Sequence, residues 1–172
     1  MEIRLVKKED AEAFNLYYSE NVGHFKPWEP ERAEGYDSVE SWQERVIEYV
    51  LQQENHQAAY FIAIDNGKIV GHCNLSQIVF GPFQACYMGY GVAKSAEGKG
   101  IAFGLCEHVI AYAFEELRLH RIMANYIPSN ARSARLLSRL GFVKEGLAKD
   151  YLKIDGRWQD HVLTSLTNHT ST

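Results

Sequence analysis

The stretch VAKSAEGKGIA, Val92 to Ala102, decides how this chain is read, because it joins the apolar run YMGYGV to a long amphipathic segment through a glycine-containing turn. A helix start exposes backbone N–H groups that the helix leaves unpaired, and it carries the positive end of the helix dipole. A strand, a glycine turn and a helix in that order therefore form an anion-binding layout. Gly98 and Gly100 would let a pyrophosphate approach those amides with no side chain between them.

Two familiar phosphate cradles fail against these residues. A Walker loop needs a glycine where Ala93 stands and a Ser or Thr where Gly100 stands, so both the first glycine and the magnesium hydroxyl are missing. A dinucleotide fingerprint needs a third glycine where Phe103 stands, and no strand-borne acid follows at the expected distance.

Composition narrows the field. With 172 residues and 46% hydrophobic side chains, the chain can bury one good core and is short for two domains; one domain is expected over residues 1–168, with 169–172 a frayed end. A net charge of -4 without a basic run argues against nucleic-acid binding by phosphate neutralisation and favours a cationic partner. Three cysteines, Cys73, Cys86 and Cys106, form no C-x-x-C pair, and the histidines show no ligand spacing, so neither disulfides nor a metal is expected. No apolar run approaches the ~18 residues of a membrane span, and the N-terminus alternates apolar with charged residues, which points to a cytoplasmic setting without membrane association.

Periodicity predicts a strand around Ile3 and Leu5, a helix from Glu9 to about Asn21, an irregular stretch broken by Pro27 and Pro30, and a helix from Ser38 to about Gln53. Strands follow over 58–64 and 68–79, hinged at Asp65-Asn66-Gly67, and over about 84–92. A long helix from about Gly98 to Leu117, a strand over 121–127, a short helix over 130–140 and a hairpin turned at Asp155-Gly156 complete the chain. The order describes an α+β domain with a single central sheet.

Read as a whole, Glu97-Gly98-Lys99-Gly100-Ile101-Ala102 resembles the acetyl-coenzyme A loop of the GCN5-related N-acetyltransferases (GNAT) at Gly100 and Ala102, departing from it where Glu97 replaces Gln or Arg. The run Pro128-Ser129-Asn130-Ala131-Arg132-Ser133, with Leu140-Gly141-Phe142 after it, is similar to that family's second cofactor segment. The ending from Tyr151 to His161 resembles the branch that acetylates the N-terminal alanine of ribosomal proteins.

The resemblance implies a GNAT fold: a mixed, mostly antiparallel sheet, flanked by helices, whose splayed central strands hold acetyl-CoA. It places Gly91, Val92, Ala93, Glu97, Gly98, Lys99, Gly100, Ile101, Ala102, Asn130 and Ser133 against the cofactor. Ser133 would lie near the departing thiolate, Asp150 would orient the amine, and Glu145 is a second carboxylate on the same strand. Phe25, Trp28 and Tyr90 would wall the acceptor site. Glu97 is expected to turn outward, because its carboxylate would repel a pyrophosphate. Arg132, Arg135 and Arg139 share a helix face, either solvated or near the ribose 3′-phosphate. Gly89 and Gly91 within a strand imply either a bulge or a ligand lying against it.

The expected reaction is direct attack of a neutral amine on the thioester, with a backbone N–H near Val92 receiving the oxyanion. An α-amine with a pKa of roughly 7.7–8.0 is about a tenth neutral at pH 7, whereas a lysine amine near ~10.4 is neutral in fewer than about one molecule in a thousand. A protein N-terminus, ribosomal if the resemblance to that branch holds, thus asks little of a base. A polyamine or aminoglycoside acetyltransferase, a non-catalytic acetyl-CoA sensor and a homodimeric assembly stay open.

Overall fold

In a computed structural model, residues 1–170 are described; of the frayed end expected at 169–172, the last two positions lie outside them. Seven strands form one sheet in the order β1-β2-β3-β4-β5-β7-β6. The strands are β1 (Glu2–Leu5), β2 (Ala59–Asp65), β3 (Lys68–Val79), β4 (Ala85–Val92), β5 (Arg121–Tyr126), β6 (Val143–Ile154) and β7 (Arg157–Thr167). All neighbours are antiparallel except β4 and β5. The helices are α1 (Ala11–Phe25), α2 (Val39–Glu54), α3 (Ile101–Ala111) and α4 (Ala131–Arg139).

Strand alternation divides the core into two layers. Ile62 of β2 faces a cluster with Phe14, Tyr18, Trp42 and Val46 from α1 and α2, while its neighbours Phe61 and Ala63 face Leu105, Cys106 and Val109 of α3. In α1 the buried residues Phe14, Tyr17, Tyr18, Asn21 and Phe25 recur at helical spacing, so the helix runs a turn beyond the expected Asn21. Trp42 stacks on Phe14 and Tyr18 at 5.1 and 4.8 Å between ring centroids, which locks α2 onto α1.

The parallel pair positions the site. β4 and β5 pair only at Ala85–Arg121, Cys86–Ile122 and Tyr87–Met123. Beyond these, β4 stays with β3 as far as Val92, and β5 stays with β7 as far as Tyr126. Each strand keeps one satisfied edge, and the two open into a wedge whose facing backbone groups have no strand partner.

Helix α3 begins at Ile101, three residues later than the Gly98 expected from the sequence, because Gly98 and Gly100 adopt positive φ (71° and 74°) and cannot belong to a right-handed helix. It ends at Ala111, where a π-helical turn, Tyr112–Glu116, takes over within the span expected to be regular helix.

At the start of α1 the Asp10 carboxylate takes both Arg4 guanidinium nitrogens at 2.8 Å and the Lys7 N–H at 2.7 Å. Burial works to raise its pKa, but the Arg4 and Lys7 interactions outweigh burial and hold it below the ordinary value of 3.8. A lowered folded-state pKa means that this stabilisation is complete above ~4 and is lost as pH falls through the folded value. Asp10→Asn should therefore unfold about 1 kcal/mol more easily at pH 7, with the gap to wild type closing in acid. Urea melts at both pH values check this.

Candidate active site

A groove of about 1400 Å³ fills the wedge between β4 and β5. Its floor is β4 from Met88 to Val92, one end is the loop into α3, and the far wall is Asn125, Tyr126, Ile127 and the start of α4. The segment after α1, including Trp28, Glu29 and Arg32, closes the other end together with His161 of β7.

At the α3 end the glycines leave open space: a Cβ built on Gly98 or Gly100 would meet no atom within 4 Å. The first-turn amides of α3 have no partner within the helix. Open glycines beside unpaired helix amides make a cradle able to accept an anion. Glu97, Gly98, Gly100, Ile101 and Ala102 line the groove, as do Gly91 and Val92; Ala93 and Lys99 do not. Ala93 is buried, and its N–H donates to the Val70 carbonyl at 2.9 Å, while Lys99 is exposed.

Glu97 departs from expectation. Its carboxylate turns inward, where it pairs with Arg132 of α4 and lies 3.4 Å from His24 Nε2 of α1. The Arg132 guanidinium neutralises the carboxylate that was expected to turn outward. His24 Nε2 also lies 3.1 Å from the Val92 carbonyl. The arginine stripe is likewise not simply solvated: Arg132, Arg135 and Arg139 all line the groove, and the Arg139 guanidinium sits 4.5 Å over the Phe103 ring.

Neither glycine of β4 marks a bulge. Gly89 and Gly91 pair in register with Asn74 and His72, and the irregularity lies farther along, between Ser76 and Val79. Gly91 is glycine because of crowding: a Cβ there would come 2.7 Å from His72 Cε1 and 3.2 Å from Phe25 Cε1. Gly89 has open space above it. Phe25 is itself buried among Tyr17, Tyr18 and His72, so it forms the base of the wall, whereas Trp28 is exposed at the rim. His72, whose pKa burial lowers to about 4 with a smaller push from Arg32, is a neutral ring whose Nδ1 lies 2.9 Å from the Tyr17 hydroxyl.

Across the wedge, the Tyr90 hydroxyl of β4 meets Ser133 Oγ of α4 in a hydrogen bond. Burial pushes the Tyr90 phenol above its ordinary pKa of 10, more than the Ser133 contact draws it down, so it keeps its proton at neutral pH. Ser133 is set by the cap of α4: the Asn130 side-chain oxygen accepts from the Ser133 N–H at 3.2 Å. The expected cofactor residue Asn130 thus also starts the helix that aims Ser133.

The two carboxylates expected from the last hairpin do not line this groove. Glu145 is exposed and paired with Arg121, at the end of β5 remote from the wedge opening. Asp150 sits at φ 44° in an irregular part of β6, between Ala148 and Leu152, its N–H donating to Asp160 Oδ1 at 3.0 Å. Instead the groove carries Glu29, Arg32, Asn74, His72 and His161, which the sequence offered no reason to group. The one local sign was the pair of prolines around Trp28-Glu29.

With this geometry in hand, comparison with known proteins decides the family. The profile described as Acetyltransferase (GNAT) domain matches residues 1–143. The chain belongs to the GNAT acetyltransferases. Among its GNAT relatives, the [ribosomal protein uS5]-alanine N-acetyltransferase of Escherichia coli is 45% identical over 168 residues, covering 96% of this chain and 86% of the other. The ribosomal-protein-S5-alanine acetyltransferase of Vibrio fischeri superposes with a TM-score of 0.95 at 41% identity, over 99% of this chain and 94% of that one. RimJ of Mycobacterium smegmatis, solved in complex with CoA-disulfide, gives a TM-score of 0.92 at 30% identity, over 98% and 82%. The splayed, mostly antiparallel sheet that the family resemblance implied is the GNAT fold.

Proposed function

We propose that this chain is an acetyl-CoA-dependent N-acetyltransferase acting on the N-terminal α-amine of a protein, with a ribosomal protein beginning in alanine as the first candidate. The observation that carries the reading is the Tyr90–Ser133 hydrogen bond inside the wedge, set in a chain that matches alanine acetyltransferases along almost its whole length. Bound acetyl-CoA supplies an activated acetyl thioester. The α3 amides and the cations Arg132, Arg135 and Arg139 hold its phosphates, the free edge of β4 holds its arm, and a β4 amide receives the developing oxyanion. Tyr90, kept protonated and coupled to Ser133, hands a proton to the departing sulfur. The three cysteines are free and buried, which suits a reducing cytoplasm.

Incubation with acetyl-CoA and a mixed panel of alanine- and serine-starting peptides, polyamines and aminoglycosides, read by mass spectrometry, tests this. The expected product is an alanine-starting peptide heavier by one acetyl group at its N-terminus. A modified polyamine beside untouched peptides would overturn the acceptor, and coenzyme A binding with no transfer to any amine would leave a sensor module.

A further inference from the structure

The groove has a cofactor end and an acceptor end, and the acceptor end needs a group to receive an amine that arrives mostly protonated. Among the described residues, three acids line the groove: Glu29, Glu31 and Glu97. Glu97 is at the cofactor end and engaged by Arg132 and His24. Glu31 is exposed at the rim, its Oε2 3.4 Å from where a Cβ on Gly156 would stand.

Glu29 differs from both. It follows the short turn Lys26–Trp28, and only 23% of its side chain is exposed. Its Oε2 accepts from Arg32, while Oε1 makes no hydrogen bond to any described residue. The backbone is fixed as well: the Glu29 carbonyl accepts from the Asp155 N–H at 2.9 Å, tying this segment to the β6–β7 turn. Arg32 is held between Tyr18 and Tyr36 at 4.4 and 4.7 Å and bonds Asp37 at 3.2 Å, so it is a fixed counter-charge. Burial raises the Glu29 pKa, and the Arg32 interactions that lower it do not fully offset burial.

We infer that Glu29 is the catalytic carboxylate that receives the acceptor's α-ammonium group on its free oxygen and takes the proton that must leave before attack. The inference rests on the proposed acetyltransferase reading and assigns the base within it. The balance is simple. The ammonium gives one proton to Glu29, which releases it to solvent. The neutral nitrogen then bonds to the acyl carbon, the carbon–sulfur bond breaks, and the second nitrogen proton ends on the thiol by way of Tyr90 and Ser133. A carboxylate that is half-buried beside a fixed guanidinium holds an ammonium firmly while remaining a better proton acceptor than a fully solvated acid.

The test compares wild type, Glu29→Gln and Glu29→Asp with an alanine-starting peptide between pH 7 and pH 9, alongside coenzyme A affinity by calorimetry. Glu29→Gln should lose about tenfold in kcat/KM for peptide at pH 7, because about nine-tenths of an α-amine is protonated there, and the deficit should almost vanish at pH 9, where about nine-tenths is neutral. Glu29→Asp should recover part of the loss, and coenzyme A affinity should stay within about twofold in both variants. Around Glu29 stand Arg32 and Asp37 from its own loop, Tyr17 and Tyr18 from α1, and the groove histidines His72 of β3 and His161 of β7. The ratio of wild type to variant at each pH removes pH effects common to both proteins. A loss equal at both pH values, or no loss, overturns the assignment while leaving the enzyme an acetyltransferase. A wild-type protein that acetylates no amine overturns the functional reading instead, before any variant is compared.

Discussion

A Tyr90→Phe protein should turn over about a hundredfold more slowly than wild type, with coenzyme A affinity almost unchanged. General acid catalysis by a positioned side chain is typically worth ~10²–10⁴ in rate, and a coenzyme A thiolate is a fair leaving group, so the lower end applies. The ring of Tyr90 is packed in the core that includes Cys73 and Cys106, and phenylalanine keeps that packing. What disappears is the hydroxyl bonded to Ser133. Ser133→Ala should cost less, about tenfold, because Tyr90 would still present its proton to the groove. If the two act as one relay, the double variant should be no slower than Tyr90→Phe alone. Additive losses would mean separate roles, and an unchanged kcat in Tyr90→Phe would remove the phenol from proton delivery.

Gly100→Val should weaken coenzyme A binding at least thirtyfold. Gly100 lies at φ 74°, directly before α3, and a β-branched residue there costs about 1–2 kcal/mol in backbone strain alone. Relief of that strain would turn the first α3 amides away from the site they share, and the new side chain would fill space that is now open. Gly100→Ala separates the two contributions, since it keeps most of the strain and adds little bulk. Calorimetry with coenzyme A reads the result. Wild-type affinity in Gly100→Val would mean that the phosphates do not sit on this loop.

The parts of the site that were legible in the sequence are the local ones. A glycine turn between a strand and a helix is written in consecutive residues, and so is the Asn130 cap three positions before Ser133. Hairpin turns at Asn66-Gly67 and Asp155-Gly156 are equally local and formed as expected. Helix ends were read less well. The sequence placed the start of α3 at about Gly98, within the glycine turn, but the left-handed φ of Gly100 starts the helix at Ile101.

Glu97 shows the other limit. From its neighbours alone, an acid in an anion loop has to turn away; across 35 residues of sequence Arg132 pairs with it, and His24 approaches from α1. Asp150 and Glu145 lay on the strand that family resemblance favoured, yet both sit where the pairing of β6 is irregular and off the groove lining, while Glu29 comes in from a segment that periodicity described only as broken.

By itself, then, the sequence determined the single α+β sheet, the family resemblance and the donor loop, because these follow from periodicity, turn residues and contacts a few positions apart. Only the tertiary structure decided which side chains share the groove. Tyr90 with Ser133 depends on where β4 parts from β5, Glu97 meets Arg132 across 35 residues, and Glu29 is brought to the groove by its tie to the β6–β7 turn. That parting is set by which neighbour each strand keeps, a competition for backbone partners between strands far apart in the chain.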